Sequence, residues 1–371
     1  MYSNAKEQLQ WENSMKEEKI VRFALLGAGL VSPFHAKGIR ATAGCELAAI
    51  ADTNRERAEK RAKEFGCKAC ASLDELLADA SIDVINILLP NHLHAEPTIK
   101  IAAAGKHVLV EKPPSMSLAD TDRMIAACAK AGVKLGIVLN CRVRKPIQAI
   151  RAAIAQGRFG RVLQADAYMK WFRSTEYYLS DDWRSSRRSG AGVTIQHAFH
   201  YIDLIQYLMG PAAAVHARML NLTHPKVKLE DTLYATIDFA NGAHGVVEAS
   251  TAFWPGTDIR IEVNGENGTA IMIGERMDTW KFRDDRPEDQ AIRTQGRQGV
   301  ATGAGGAADL DFADHQAVIE GMAKAVREGC DPIITAPSAR DTLEIALAMY
   351  KSAKTGQAVQ LPVTDEESIW E

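Results

Sequence analysis

The chain has 371 residues, of which 46% are hydrophobic, 25% charged and 6% aromatic, with a formal charge of −3. That length suits two domains of roughly 100–200 residues each, and the ordinary apolar content excludes a chain that is mainly disordered or collagen-like. No apolar run reaches the ~18 residues of a membrane span, and the weak net charge gives no basic field for a nucleic acid.

Residues 1–19 carry Lys6, Glu7, Glu12, Lys16, Glu17, Glu18 and Lys19 without an apolar stretch. They read as a polar extension, not a secretory signal. The pair Cys67 and Cys70 has no second CxxC or His pair to complete a zinc set. The cysteines are therefore expected to be packing thiols in a reducing, cytoplasmic setting.

From residue 20, short apolar runs alternate with helical stretches. Val21–Leu26 reads as a strand ending at Gly27, followed by a helix with Pro33 in its first turn, where a missing N–H costs little. Glu46–Ala51 is a second strand, and Thr53 is the expected N-cap of a charged helix that Gly66 stops. Asp83–Leu89, His107–Val110 and Lys134–Leu139 are further apolar runs, the last two preceded by Ala-rich helices ending at Gly105 and Gly132. This alternation predicts right-handed crossovers and a doubly wound parallel α/β sheet over 20–145.

The rhythm then changes, and 146–371 is predicted to be an α+β domain with a large open, mainly antiparallel sheet. A helix over Pro146–Gln156 precedes a strand over Val162–Lys170. Leu233, Ala235, Ile237 and Phe239 alternate with polar neighbours, as in a half-buried strand. Asn241-Gly242 marks a hairpin turn, and strands are predicted at Ile259–Val263 and Thr269–Ile273. A helix near 195–209 and a closing pair at about 312–328 and 338–354 complete the reading. A bare apolar sheet face would aggregate, so the sheet is expected to meet helices or another subunit. The Gly-rich stretch 284–310 is long enough to be a lid.

Gly27-Ala28-Gly29 is the sharpest local signal. It permits a tight turn and lets a pyrophosphate approach the backbone at a helix entry formed by Leu30 and Val31. Ser32 stands where a third glycine is usual. Asp52, 23 residues after Gly29, is placed to bind the adenosine ribose hydroxyls and to repel a 2′-phosphate. NAD is therefore favoured, while Arg55 and Arg57 keep NADP open. Leu89, Asn91, His94, Glu111, Lys112 and Asn140 lie at the carboxyl ends of later strands, where ligands of open α/β sheets bind. Asn91 is also a candidate helix cap. Lys112 is the first catalytic candidate, because burial beside a cationic nicotinamide lowers an ammonium's proton affinity.

In the second domain, Gln196, His200 and Asp203 recur at i, i+4 and i+7 on one predicted helix face, with His197 beside them. The face suits an acid/base histidine with orienting polar groups. A metal held by His197, His200 and Asp203 is the competing arrangement, and no metal is expected. Trp171, Arg173, Tyr177, Tyr178, Trp183 and Arg184 supply rings and donors suited to a sugar, and Arg142 and His315 are candidates on position alone.

The combination resembles the glucose–fructose oxidoreductase/inositol dehydrogenase/MocA-like oxidoreductases over residues 20–362. The resemblance is carried by Gly27-x-Gly29 with His35, by Pro90-Asn91-x-x-His94, by Ala104-Gly105 through Glu111-Lys112-Pro113, and by Gly190-x-Gly192 through His200-Tyr201-Ile202-Asp203. It implies a Rossmann domain and an α+β domain whose sheet often mediates oligomers, here a homodimer or homotetramer. It further implies NAD(P)-dependent oxidation or reduction of a sugar, glycoside or cyclitol, with Lys112 and His200 catalytic. Gln196 stands where the family often has Asp or Asn, so it is expected to orient a hydroxyl and not to take a proton. Lys112, Arg142, Trp183, Arg184, Gln196, His197, His200 and Asp203 are the expected substrate contacts. An NAD-assisted glycosidase and a non-catalytic dinucleotide sensor are the alternatives of the same fold.

Overall fold

The first apolar runs form a six-stranded parallel sheet in a computed structural model that describes residues 19–190, 192–296, 311–366 and Ile369. In chain order its elements are β1 (Val21–Leu26), α1 (Ser32–Ala41), β2 (Cys45–Ala51), α2 (Arg55–Phe65), β3 (Lys68–Cys70), α3 (Leu73–Ala78), β4 (Val84–Ile87), α4 (Ala95–Ala103), β5 (His107–Glu111), α5 (Leu118–Ala131) and β6 (Leu135–Val138). The strand order is β3-β2-β1-β4-β5-β6, with every pair parallel. The order reverses between β1 and β4, which opens a crevice at the carboxyl ends of those strands. Covered on both faces, β4 and β6 are buried at every residue, which is why they read as unbroken apolar runs. The short β3 was not anticipated, since three residues show no period.

One local expectation is corrected. Asn54, not Thr53, caps α2: its side chain accepts the Arg57 N–H at 3.0 Å. Asp52 accepts the Asn54 N–H at 2.8 Å and so holds the cap in place.

The second lobe contains α6 (Lys145–Ala155), β7 (Val162–Lys170), α7 (Thr175–Leu179), α8 (Val193–Gln196), α9 (Phe199–Met209), β8 (Ala212–Leu220), β9 (Thr232–Phe239), β10 (His244–Ser250), β11 (Arg260–Gly265), β12 (Gly268–Ile273) and β13 (Arg276–Phe282). After these come α10 (Ala313–Glu328), α11 (Ala336–Thr355) and β14 (Val359–Gln360). The eight strands run β13-β12-β11-β7-β10-β9-β8-β14. Only β7 and β10 pair in parallel, so the sheet is mixed and mainly antiparallel. Asn241 and Gly242 close the β9–β10 hairpin as predicted. Helices α9 and α11 cover one face. The other carries paired polar side chains, among them Lys170 with Glu248 and Arg260 with Glu262, so it is not the bare apolar face feared from the sequence.

Three further expectations change. First, the helix near 195–209 is two helices, α8 and α9, broken at His197 (φ −122°, ψ −53°); Gln196, His200 and Asp203 do not share one continuous face. Second, the chain after 310 returns to the first lobe: α10 packs on α1, and the Ile137 N–H donates to Ile334 O at 3.2 Å. Third, part of 284–310 is anchored. Asp289, 0% exposed, pairs with Arg158 at 2.6 Å and accepts from Trp280 Nε1 at 2.7 Å. The rest of that stretch, 297–310, and the polar extension 1–18 lie outside the described residues.

The lobes are clamped by a buried ion pair. Arg142, just past β6, donates from Nε at 2.8 Å and Nη2 at 2.5 Å to the two oxygens of Asp203 on α9. Thr342 of α11 adds a hydrogen bond to Asp203 at 2.8 Å, and Ser338 accepts from Arg142 at 2.8 Å. Neither charge faces the cleft. The expectation that Arg142 and Asp203 contact substrate is replaced by a structural role, because both oxygens of Asp203 are spent on Arg142. Removing one member leaves the other charge buried, so Arg142→Met should cost about 3–5 kcal/mol in urea unfolding. The double variant Arg142→Met/Asp203→Leu should recover part of that loss, and a double loss equal to the sum of the two single losses would show that the charges are uncoupled.

Candidate active site

At the crevice, Gly27 has φ +113°, and a Cβ there would lie 2.6 Å from Leu88 O. Only glycine makes this turn against β4. Gly29 has nothing within 4 Å of an added Cβ, so its backbone faces open space at the entry to α1. Leu30 is exposed and Val31 half-buried at the same entry. Asp52 receives the Ala28 N–H at 2.9 Å and stands 3.4 Å from Arg57 Nε. The carboxylate therefore holds the glycine turn. A bare backbone at a helix N-terminus with an acid at the end of the next strand fits a dinucleotide.

Farther along the strand ends, several expected cofactor residues prove to be struts. His94 is 0% exposed, with Nδ1 2.9 Å from Pro113 O and Nε2 2.9 Å from Leu89 O. It ties the loop after β4 to the one after β5 and presents no nitrogen to a ligand. Glu111 accepts from His35 Nε2 at 2.9 Å and from the Lys112 N–H at 3.1 Å, with His315 Nε2 at 3.8 Å. Its two imidazole neighbours hold this buried carboxyl well below its ordinary range against the cost of burial. These two residues are corrected from cofactor contacts to supports. Asn91 donates to Gly190 O at 3.3 Å, joining the lobes, and Asn140 sits 3.3 Å from His315 Nδ1. Leu89 contributes its carbonyl to His94.

Lys112 crosses between the lobes. Its Nζ donates to the backbone O of Gln196 at 2.7 Å, at the end of α8. Burial pushes its pKa down, opposed by Glu111 and reinforced by Arg184. The break after α8 then brings His200 in at the start of α9. Burial holds His200 well below the ordinary 6.5, with Lys112 the largest neighbouring charge, so the imidazole is neutral near pH 7. The Nδ1 atoms of His197 and His200 are both buried without a hydrogen-bond partner, unusual for polar atoms in a protein interior. Gln196 departs from expectation: its Nε2 donates to Arg184 O at 2.8 Å, so the amide positions the Arg184 segment.

That segment closes over the site. Arg184 stacks on Trp183 at 4.5 Å and on Tyr177 at 5.0 Å, and donates to the Tyr177 hydroxyl at 3.0 Å. Arg173 lies 5.2 Å over the Trp171 ring, and Tyr177 packs 5.5 Å from His197. Gly190 is required here, because a Cβ would lie 2.4 Å from Trp183 O. His197, His200 and Asp203 do not gather as metal ligands, since Asp203 belongs to Arg142. Among the described residues, the metal-ligating types that do gather are His35, Glu111 and His315; the His35–Glu111 hydrogen bond already joins two of them. The sequence flagged His35 and His315 singly but gave no sign that they share Glu111. It also missed Glu230, whose backbone O and carboxylate hold the N-terminus of α8 at Val193 and Thr194.

Residues 21–138 match the oxidoreductase family with an NAD-binding Rossmann fold, GFO/IDH/MocA, and residues 147–271 match the GFO/IDH/MocA C-terminal domain. The chain is 30% identical to 1,5-anhydro-D-fructose reductase of Ensifer adhaerens, over 92% of this chain and 98% of that one. It is also 30% identical to scyllo-inositol 2-dehydrogenase (NAD(+)) of Bacillus subtilis, over 93% and 98%. A crystal structure of the WlbA dehydrogenase from Bordetella pertussis, in complex with NADH and UDP-GlcNAcA, superposes with a TM-score of 0.85 at 30% identity, over 94% of this chain and 99% of that one. The chain belongs to the GFO/IDH/MocA oxidoreductase family and carries its NAD-binding domain.

Asp52→Ala should raise KM for NAD and narrow the NAD-to-NADP preference by about tenfold or more, the loss of one charge-assisted contact. An unaltered ratio of kcat/KM for the two cofactors would show that the ribose is read elsewhere.

Proposed function

We propose that this enzyme oxidises or reduces a secondary alcohol of a sugar, glycoside or cyclitol. The observation that carries this reading is the Lys112 bond to Gln196 O, which brings an ammonium from the first lobe beside the His197–His200 turn of the second. When bound, the nicotinamide supplies the hydride acceptor. The chain supplies position and charge. In the oxidative direction, neutral His200 takes the proton from the carbinol oxygen. An ammonium has three N–H donors, of which the Gln196 carbonyl takes one, so Lys112 retains donors for the same oxygen and stabilises its developing negative charge. Gln196 and His94 position these groups without touching substrate. The rings of Trp171, Tyr177 and Trp183 suit the C–H faces of a sugar, and relatives named for anhydrofructose and inositol support that class.

The pH dependence follows from the shifts. His200 is lowered from 6.5 and Lys112 from 10.5. Oxidation needs the imidazole neutral and the ammonium charged, so kcat/KM should fall as pH drops through a value below 6.5 and again as it rises through one below 10.5. His200→Asn should abolish the acid limb; its survival would assign that limb to another group. The decisive assay is a screen of polyols, sugars and glycosides with NAD, followed by absorbance of reduced cofactor. Lys112→Ala should cut kcat by about 10²-fold or more while NADH binding persists. Release of a free sugar without net NADH would instead indicate elimination chemistry, and unchanged turnover would remove Lys112 from the mechanism.

A further inference from the structure

Helix α8 is too short to hold its own position. It spans four residues, Val193–Gln196, far below the roughly 12–15 at which a helix begins to hold itself, and its first N–H groups have no helical acceptors. Glu230, just before β9, supplies them. Its backbone O accepts the Val193 N–H at 3.0 Å, and its Oε1 accepts the Thr194 N–H at 3.2 Å. The same Oε1 accepts the Tyr350 hydroxyl at 2.6 Å. Tyr350 lies in α11, and it and Glu230 are each 4% exposed.

The approach is close. A Cβ at residue 192 would lie 2.2 Å from Glu230 O and 2.4 Å from its Oε2, so only glycine there lets the carboxyl meet the helix entry. Asp231, the adjacent acid, turns elsewhere: it accepts from His224 at 2.8 Å and from the N–H groups of Leu222 and Thr223, both at 2.9 Å. At its other end α8 gives the Gln196 carbonyl to Lys112 at 2.7 Å, and the helix breaks at His197 before His200 enters on α9. Thr194 and Gln196 lie about 3 Å apart along a helix axis, so a shift at the Glu230 end is felt at that carbonyl.

We infer that Glu230 is a positioning residue: anchored by Tyr350, it fixes the entry of α8 and through that helix places the Gln196 carbonyl that holds Lys112. This rests on the alcohol-oxidising reading above and adds to it a residue that works through α8 and not at the reacting atoms. Without the carboxyl, the entry of α8 keeps only the bond from Val193 to the Glu230 backbone, the carbonyl at its far end shifts, and the ammonium is no longer held beside the His197–His200 turn. A loss transmitted through Lys112 vanishes when Lys112 is absent. A general loosening of the second lobe would lower activity in either background.

The test is a double-mutant cycle between Glu230 and Lys112, read as kcat with NAD and the sugar or polyol that the substrate screen identifies. Glu230→Ala should lower kcat by about tenfold or more, as small misplacements do, but by less than about twofold in the Lys112→Ala background. Glu230→Gln keeps an acceptor oxygen for Thr194 and Tyr350, and should bring kcat back to within about threefold of the parent. KM for NAD, unchanged in each variant, reports an intact Rossmann half. A second arm needs no substrate: acetic anhydride labelling of the NADH-loaded protein, read by peptide mass spectrometry. Loosening the hold on the ammonium should speed Lys112 acetylation about tenfold in Glu230→Ala, the worth of one hydrogen bond to a charged group, while Lys106, buried in the first lobe, labels as before. Equal losses of kcat with and without Lys112, a glutamine variant as impaired as alanine, or Lys112 labelling indifferent to Glu230 would overturn the inference. If no sugar or polyol reduces NAD, the reading of the reaction fails separately, and the labelling arm still decides the role of Glu230.

Discussion

A single hydrogen bond sets the geometry of the cleft: the Lys112 ammonium to the Gln196 carbonyl, 2.7 Å across the lobe boundary. A buried ammonium is tolerated only with acceptors to hold it, and the carbonyl it uses lies where α8 ends and its peptide groups are left without helical partners. The break at His197 therefore does two things. It frees the carbonyl that receives Lys112, and it restarts the helix so that His200 enters at the first turn of α9. A continuous helix through 196–203 would have spent that carbonyl internally.

Behind this contact, charges are sorted by depth. Arg142 with Asp203 and Arg158 with Asp289 are closed pairs, each carboxylate fully buried and bonded more than once. They lock elements together. Glu111 is intermediate: His35, His315 and the Lys112 backbone share it, so its charge steadies the loop that presents Lys112. A cysteine pair that might suggest redox chemistry is inert by comparison, since burial raises the Cys67 thiol to about 11 and leaves little thiolate near neutrality.

The Rossmann half was legible because its signals are local. A buried parallel strand must be apolar at consecutive positions, and a glycine turn against a neighbouring strand excludes a Cβ, so β1, β4 and Gly27 announce themselves. The family resemblance correctly joined the lobes, and the comparisons bear it out. What the sequence could not show was partner choice. Asp203 and Glu111 look like site carboxylates by position, yet Arg142 and His35 claim them through contacts between residues far apart in the chain. The helix break at His197 was also hidden, because Val193–Met209 has a helical composition throughout, and the contacts that accompany the break, from Lys112 and Glu230, come from residues distant in the chain.

Glutamine at 196 illustrates how a substitution within a family site changes the division of labour. A carboxylate there could share a proton with His200. An amide cannot, and in this chain its Nε2 is turned to the Arg184 carbonyl. On the proposed reading, proton transfer falls to an imidazole whose pKa is lowered by burial and by Lys112, without help from an acid on the preceding helix. The same amide fixes the segment bearing Arg184, so one side chain at the end of α8 ties that segment to the helix break that presents its own carbonyl to Lys112.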